Sequence, residues 1–320
     1  MITDRSNMLC ILRILEEYSD ESHILSVADI REKLKSEYDI NPDRRTVYGA
    51  IAALNDFGYE ISTYEQNGKG YYLLGRKFEP AEIRLLMDAV YSCRYISTQQ
   101  TKELLDKIRS FSSVHERKKY TFANIVNPDK KSPNHEIFLN IEILDNAINE
   151  KRKISFTYLR YDEKKKLVPR REAPYIANPY AMICENEHYY LVLILDGHDD
   201  PSFYRIDMIK DIKVLDEHIS IPAKDAKLGS MKNVVYAYSG EPVSIELLCD
   251  DIGLRYCIEK FGKDIAVYPS KDEKRRHKVM ISAAPQGMLY WALQYIQHIE
   301  LTKPLELRNQ ISKAIKESNY

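Results

Sequence analysis

Asn41-Pro42-Asp43-Arg44-Arg45-Thr46-Val47-Tyr48-Gly49-Ala50-Ile51-Ala52-Ala53-Leu54-Asn55-Asp56-Phe57-Gly58 is the stretch on which the reading of this chain turns. Val47, Ile51 and Leu54 recur every three or four residues, which predicts a helix with one buried stripe. Asn41 is the expected cap and Pro42 the opening residue, a position whose N–H has no helical partner to lose; Gly58 closes the helix. A turn of about 100° per residue puts Arg45, Tyr48, Gly49 and Ala52 on the opposite side. Small residues at 49 and 52 permit close approach to a groove. Arg44, Arg45, Thr46 and Tyr48 lie in the first turns, where a recognition helix meets base edges and phosphates.

Upstream, Met8, Ile11, Leu12 and Leu15 mark a first amphipathic helix, and Ser26-Val27-Ala28-Asp29 is a capping box opening a second that carries Val27, Ile30 and Leu34. Downstream, Tyr59–Tyr64 and Tyr71–Leu74 read as strands around Asn67-Gly68-Lys69-Gly70, a strong hairpin signal. Three helices and a hairpin make residues 1–76 a winged helix-turn-helix with Lys69 at the wing tip. The run Arg45-Thr46-Val47-Tyr48, Leu54, Gly58 and Gly70-Tyr71-Tyr72-Leu73 resembles the winged-helix domains that open many bacterial regulators, which implies a double-stranded DNA operator as partner. Residues 1–75 nevertheless hold eight Lys/Arg against thirteen Asp/Glu, a net of −5. Non-specific DNA affinity follows phosphate neutralisation, so a single copy should bind weakly and a homodimer is expected. The same elements also serve as protein-interaction modules, and that alternative stays open.

Residues 77–136 read as a helical connector. Glu79-Pro80 starts a helix with Ile83, Leu86 and Val90 on one face; a second begins near Thr98 and is marked by Leu104, Leu105, Ile108 and Phe111. Val126–His135, rich in Pro, Asn and charge, reads as a loop or hinge.

Residues 137–220 change character. A helix over Ile137–Asn149 precedes the alternating strand Ile154–Tyr158, and Pro169, Pro174 and Pro179 are expected to break the following sequence into short strands. His188–Leu195 is a nearly continuous apolar strand, and Phe203–Ile209 follows the turn at 196–201. One helix leading many short strands suggests a small, bent, barrel-like sheet. Between 151 and 171 nine Lys/Arg face Asp162 and Glu163, a local +7 that can attract phosphates or simply be a solvated face. Tyrosine is abundant, 24 residues against 8 Phe and 1 Trp, as in surfaces that stack ligands and in tyrosine-rich cores.

Residues 140–217 resemble the WYL domain, named for a Trp-Tyr-Leu run that here is Tyr189-Tyr190-Leu191. Ile154–Tyr158, Val168-Pro169 and Phe203–Ile209 match the family's order and spacing. The resemblance implies an SH3/Sm-like barrel binding a nucleotide or single-stranded nucleic acid as effector, with Tyr158, Tyr190 and Arg205 lining the pocket and Tyr180 and Tyr189 as further candidates. A guanidinium can grip phosphate through two parallel N–H bonds, and a tyrosine face offers base stacking of about 1–3 kcal/mol. Two positions depart from the family: Tyr189 replaces the tryptophan, and Met208 stands where the closing motif has a second arginine.

In residues 240–320 a strand over 243–248, a helix over 252–261, strands over 265–268 and 278–282, a helix over 285–296, a strand near 299–301 and a helix after Pro304 follow in order. This β-α-β-β-α-β order is ferredoxin-like and resembles the C-terminal extension that often follows WYL domains. Lys271, Lys274, Arg275, Arg276 and Lys278 read as a solvated hairpin loop.

The whole is therefore expected to be a multidomain α+β transcriptional regulator, a repressor, without cofactor. The alternative is an RNA- or single-strand-binding adaptor whose winged helix contacts protein. The chain lacks HExxH, GxSxG, P-loop and GxGxxG motifs, and His188, His198 and His218 fit no metal spacing, so no enzyme is expected. Five scattered cysteines without a CxxC pair, no apolar run near the roughly 18 residues that span a bilayer, and no signal-peptide pattern point to the cytoplasm and away from membranes.

Overall fold

The computed structural model describes residues 7–120, 131–185, 187–220, 238, 240–272 and 274–318. Packing divides the chain into two compact units, Met1–Pro133 and Asn134–Tyr320.

In the first unit α1 (Asn7–Tyr18), α2 (Val27–Tyr38) and α3 (Arg44–Asp56) bury Ile11, Ile14 and Leu15 against Ile30, Leu34, Val47, Ile51 and Leu54. Each such side chain withdrawn from water stabilises by about 1.5–3 kcal/mol. The Ser26/Asp29 capping box opens α2 as its spacing predicts. The cap of α3 is different from the expected one. Asp43, not Asn41, accepts the Thr46 N–H at 2.7 Å, its carboxylate lying where the helix dipole favours negative charge. Asn41 and Pro42 are instead drawn to Arg31, whose Nη2 and Nε donate to the Asn41 Oδ1 at 3.0 Å and the Pro42 carbonyl at 2.7 Å.

The Asn-Gly turn also departs from expectation. β1 (Ile61–Ser62) pairs antiparallel with β2 (Tyr72–Leu73), but a helical turn, α4 (Tyr64–Asn67), joins them. The cause lies just upstream: Gln66 Oε1 accepts the Thr63 N–H at 2.8 Å, and Gly68 ends the turn at φ +69°. Tyr71 then makes two backbone hydrogen bonds with Leu25, of 2.8 and 2.9 Å, so a third segment joins the pair.

The connector helices α5 (Pro80–Ser92) and α6 (Thr98–Arg109) begin where Glu79-Pro80 and Thr98 place them, and a short α7 (Val114–Arg117), unforeseen from sequence, follows. Arg117 reaches Glu17 of α1 through two hydrogen bonds of 2.5 and 2.7 Å, and the Arg76 guanidinium donates to the carbonyls of Glu16 and Ser19. Of the expected loop over 126–135, residues 126–130 lie outside the described residues; Lys131 donates to the Tyr91 and Cys93 carbonyls at the end of α5.

The second unit opens with α8 (Ile137–Asn149), followed by β3 (Arg152–Tyr161), β4 (Leu167–Pro169), β5 (Tyr175–Glu185), β6 (His188–Leu195), β7 (Ser202–Arg205) and β8 (Ile209–His218). The sheet runs β4-β3-β5-β6-β7, with β8 also on β3. β3 gives residues 154–156 to β5 and 159–161 to β4, which curls the sheet around Phe156, Ala177 and Leu191–Ile194. Pro179 does not interrupt β5 as expected. The strand passes through it with a bulge between Pro179 and Ala181, which absorbs the donor that proline lacks. The closing run breaks instead, since residues 206–208 form a 3₁₀ turn between β7 and β8.

Next come β9 (Val243–Cys249), α9 (Asp251–Phe261), β10 (Ala266–Pro269), β11 (His277–Ala283), α10 (Pro285–Gln294), β12 (Ile299–Lys303) and α11 (Leu305–Glu317). Their four-stranded sheet has the order β10-β11-β9-β12 with every neighbour antiparallel. It packs Ile245, Leu247, Val279 and Leu301 against Met288, Trp291 and Leu307. The basic hairpin residues are largely paired: Arg275 with Glu300, Arg276 with Asp251, and Lys278 with Glu246. Among the described residues no helix is long and apolar enough to cross a membrane.

Candidate functional site

Two groups of candidate residues fall in different units. In the first, Arg44, Arg45, Thr46 and Tyr48 are all exposed on the first turns of α3, opposite Val47, Ile51 and Leu54. Asp43 sits beside them, and the hydrogen bonds from Thr46, with Arg45 and Arg31 nearby, hold its carboxyl below the usual range. A fixed negative charge therefore stands at the start of the cationic face. The Tyr48 ring lies 6.4 Å from that of Tyr71, which brings α3 alongside the strand that follows Lys69. Lys69 is exposed, and Asn67 braces the backbone around it: Asn67 Oδ1 accepts the N–H groups of Lys69 and Gly70 at 2.7 and 2.9 Å, while Asn67 Nδ2 donates to the Gly70 carbonyl at 2.9 Å.

In the second unit the Arg205 N–H donates to the Tyr158 hydroxyl at 3.3 Å, and Tyr190 stands directly opposite Arg205 in the β6–β7 ladder. These three residues are brought together. The Arg205 guanidinium, however, is already engaged: Nε donates to Asp207 Oδ1 at 3.1 Å and Nη2 to Oδ2 at 2.7 Å. Burial would lower the Arg205 pKa, but the Asp207 hydrogen bonds and charge outweigh it and hold the group protonated more firmly than usual. Only its remaining edge can meet a ligand.

Tyr158 belongs to an aromatic cluster, 4.6 Å from Tyr204 and 6.3 Å from Tyr175, with Phe156 beneath at 5.3 Å from Tyr175. Burial pushes the hydroxyls of Tyr158, Tyr190 and Tyr204 above their ordinary pKa, so they are neutral donors. Arg171 lies 3.6 Å over the Tyr175 ring, with its Nε and Nη2 tied to the Ala173 and Pro174 carbonyls. Tyr189 projects from the other face of β6, consistent with strand alternation, and feels Asp145 of α8 rather than Arg205. Tyr180 occupies the β5 bulge.

The sequence reading missed Asp207, Tyr175, Tyr204 and Arg171. The Arg-x-Asp spacing at 205–207 was the visible signal for the first. Met208 is buried at 8% exposure, so the position where the family carries a second arginine faces the core in this chain. The +7 segment is partly spent: Lys153 is buried and paired with Asp196 and Glu217, and Arg152 donates to the Asp216 carbonyl. Among the described residues no group of three or more His, Cys, Asp or Glu is placed to hold a metal.

Residues 140–214 match the WYL domain. The chain carries that domain where the resemblance had placed it. It is 23% identical over 290 residues to the uncharacterized HTH-type transcriptional regulator YobV of Bacillus subtilis (strain 168), an alignment covering 85% of this chain and 87% of that protein. Solved structures that resemble it include proteasome accessory factor B/C (PafBC) of Arthrobacter aurescens, at 20% identity and a TM-score of 0.26. That match covers 96% of this chain but only 45% of the other. A CRISPR Cas-related protein matches at 13% identity and a TM-score of 0.37, covering 98% of this chain and 82% of that one.

Proposed function

We propose that the chain is a cytoplasmic DNA-binding transcriptional regulator, a repressor, whose WYL domain binds a nucleotide or single-stranded nucleic acid and thereby alters operator affinity. In this reading residues 1–76 are a winged helix-turn-helix, 77–136 a connector, 137–220 the sensor with an SH3/Sm-like sheet and 240–320 a ferredoxin-like extension. The antiparallel order β10-β11-β9-β12 supports the last of these. The observation that carries the reading is the exposed row Arg44, Arg45, Thr46 and Tyr48 on a helix whose start is braced by Asp43 and Arg31. A groove-reading helix needs such a fixed register, since base contacts specify only when the backbone that bears them is held. The net −5 of residues 1–75 makes two copies on one operator the working assembly.

That same acidity favours a second reading, a single-strand-binding adaptor whose first unit contacts protein. Arg45→Ala separates the two. Operator binding should fall by about 1–3 kcal/mol for loss of a base contact, measured by fluorescence anisotropy on genomic fragments; unchanged duplex binding supports the adaptor. Arg205→Ala should abolish the effector response and spare operator binding.

A further inference from the structure

His23 and His115 stack face to face, with ring centroids 3.6 Å apart and planes 3° from parallel. His23 lies in the turn between α1 and α2, whereas His115 lies on α7, which stands on the covalent path from the three-helix core to residues 134–320. We propose that this pair is an acid-operated latch, which clasps α7 to the α1–α2 turn while His115 is neutral and releases it when His115 takes up a proton. The latch goes beyond the reading of the chain as a DNA-binding regulator and does not depend on it.

The clasp is built around Asp20. Its Oδ1 accepts from the amides of Ser22 and His23 at 3.0 and 2.9 Å and meets His23 Nδ1 at 2.8 Å; its Oδ2 accepts the Ser113 hydroxyl at 2.7 Å. Ser113 in turn caps α7, accepting the Glu116 N–H at 3.1 Å. One carboxylate thus holds both the turn and the start of α7, and both its oxygens are occupied. On the α1 side the Tyr18 carbonyl accepts from the His115 ring.

Protonating His115 sets an imidazolium face to face with the His23 ring at 3.6 Å. The charged groups around it do not relieve this. Arg76 approaches from the segment after β2 and Lys118 and Lys119 from the end of α7; Arg117 is joined to Glu17 and Lys119 to Glu116. Glu16 lies near Arg76. Asp20 remains the anion that faces the stack, and its two oxygens already serve four donors. Burial, then the neighbouring His23, lower the His115 pKa from its ordinary 6.5 despite Asp20. A histidine with a depressed pKa in the closed form stabilises that form fully above 6.5, and the stabilisation is lost as pH falls below that value.

The test is a histidine-resolved NMR titration of the full chain together with hydrogen exchange, corrected for intrinsic rates, at the amides of Glu116, Arg117, Lys119 and Tyr120. These donate to Ser113, Glu116 and Arg117 only while α7 is formed. The His115 ring should titrate with a midpoint below 6.5, and protection of those amides should fall as pH drops from 6.5 to that midpoint, by up to about tenfold per pH unit, and level off below it. His115→Phe keeps a stacked ring without a titrating proton, and its protection should be flat over the same range. A His115 midpoint at or above 6.5, or an undiminished pH response in His115→Phe, overturns the latch. If the variant does not fold, wild-type protection decides: amides of α7 whose protection does not change between pH 6.5 and the His115 midpoint overturn the latch.

Discussion

Arg205 and Asp207 are joined by two hydrogen bonds, Nε to Oδ1 at 3.1 Å and Nη2 to Oδ2 at 2.7 Å, and the carboxylate is 2% exposed. The 3₁₀ turn over 206–208 makes this possible by folding residue 207 back beside residue 205. An arginine so held is fixed in direction before any ligand arrives, which reduces the ordering cost of binding.

Removing one partner of such a pair strands the other. Asp207→Asn should destabilise by up to about 3–5 kcal/mol, the figure for breaking a fully buried pair, and toward the lower end because the Arg205 side chain retains 30% exposure. Arg205→Ala should cost as much or more, because it leaves the better-buried carboxylate unpaired. Urea unfolding of both variants checks this, and a loss below about 0.5 kcal/mol in each would show that the pair contributes only surface-like energy.

Glu246 gives a pH dependence with a definite sign. The Thr302 hydroxyl bond at 2.9 Å, with Lys303 and Lys278 nearby, holds its carboxyl below the ordinary 4.5. A depressed carboxylate contributes stability above the unfolded pKa and loses it as pH falls through the folded one. Wild-type protein should therefore exceed Glu246→Gln in stability at neutral pH, and the gap should close progressively below pH 4.5. Thr302→Val should narrow the gap at neutral pH by removing the first of these contacts. Parallel denaturant curves across that range measure it.

A third expectation concerns Gly70. A Cβ there would lie 2.3 Å from the Leu25 carbonyl oxygen and 2.8 Å from its carbon, both backbone atoms that cannot swing aside. Gly70→Ala should break the Leu25–Tyr71 pairing and cost at least about 2 kcal/mol, in the range for overpacked sites. Gly58→Ala, at φ +104° with nothing within 4 Å, should cost only the backbone strain of about 1 kcal/mol. Thermal unfolding of the two variants ranks them; a milder effect at Gly70 than at Gly58 contradicts the argument.

Elements set by local pattern are legible in the sequence itself. The stripes of α1 to α3, the Ser26/Asp29 cap and the extents of α8 and β6 follow from spacing within a single segment. What escaped depended on competition or distance. Asn67-Gly68 lost its tight turn because Gln66 bonded back to Thr63, and Asn41 lost the α3 cap because Arg31, ten residues earlier, claimed it. Lys153 reads as one more cation of a basic run, yet its burial is settled by Asp196 and Glu217, 43 and 64 residues away. The candidate pocket depends on distance too: Tyr158, Tyr190 and Arg205 meet across strands, while alternation puts Tyr189 on the other face of β6 from Tyr190.

Gly49 offers a way to separate what α3 needs for folding from what it needs for contact. It lies on the exposed side of the helix beside Arg45 and Tyr48, and a Cβ built there meets nothing within 4 Å. A helical glycine costs about 0.5–1 kcal/mol relative to alanine through backbone entropy, so Gly49→Ala should raise stability by that amount. Gly49→Leu should be tolerated equally well by the isolated fold, since the longer side chain points to solvent. If this face enters a groove, the two variants part company on DNA: alanine should bind operator within a few-fold of wild type, and leucine should lose at least about tenfold by holding the helix off the base edges. Anisotropy titrations paired with unfolding curves read both quantities on the same samples. Equal operator affinity for Gly49→Leu and wild type, with the fold intact, would place the DNA contact elsewhere than on this side of α3.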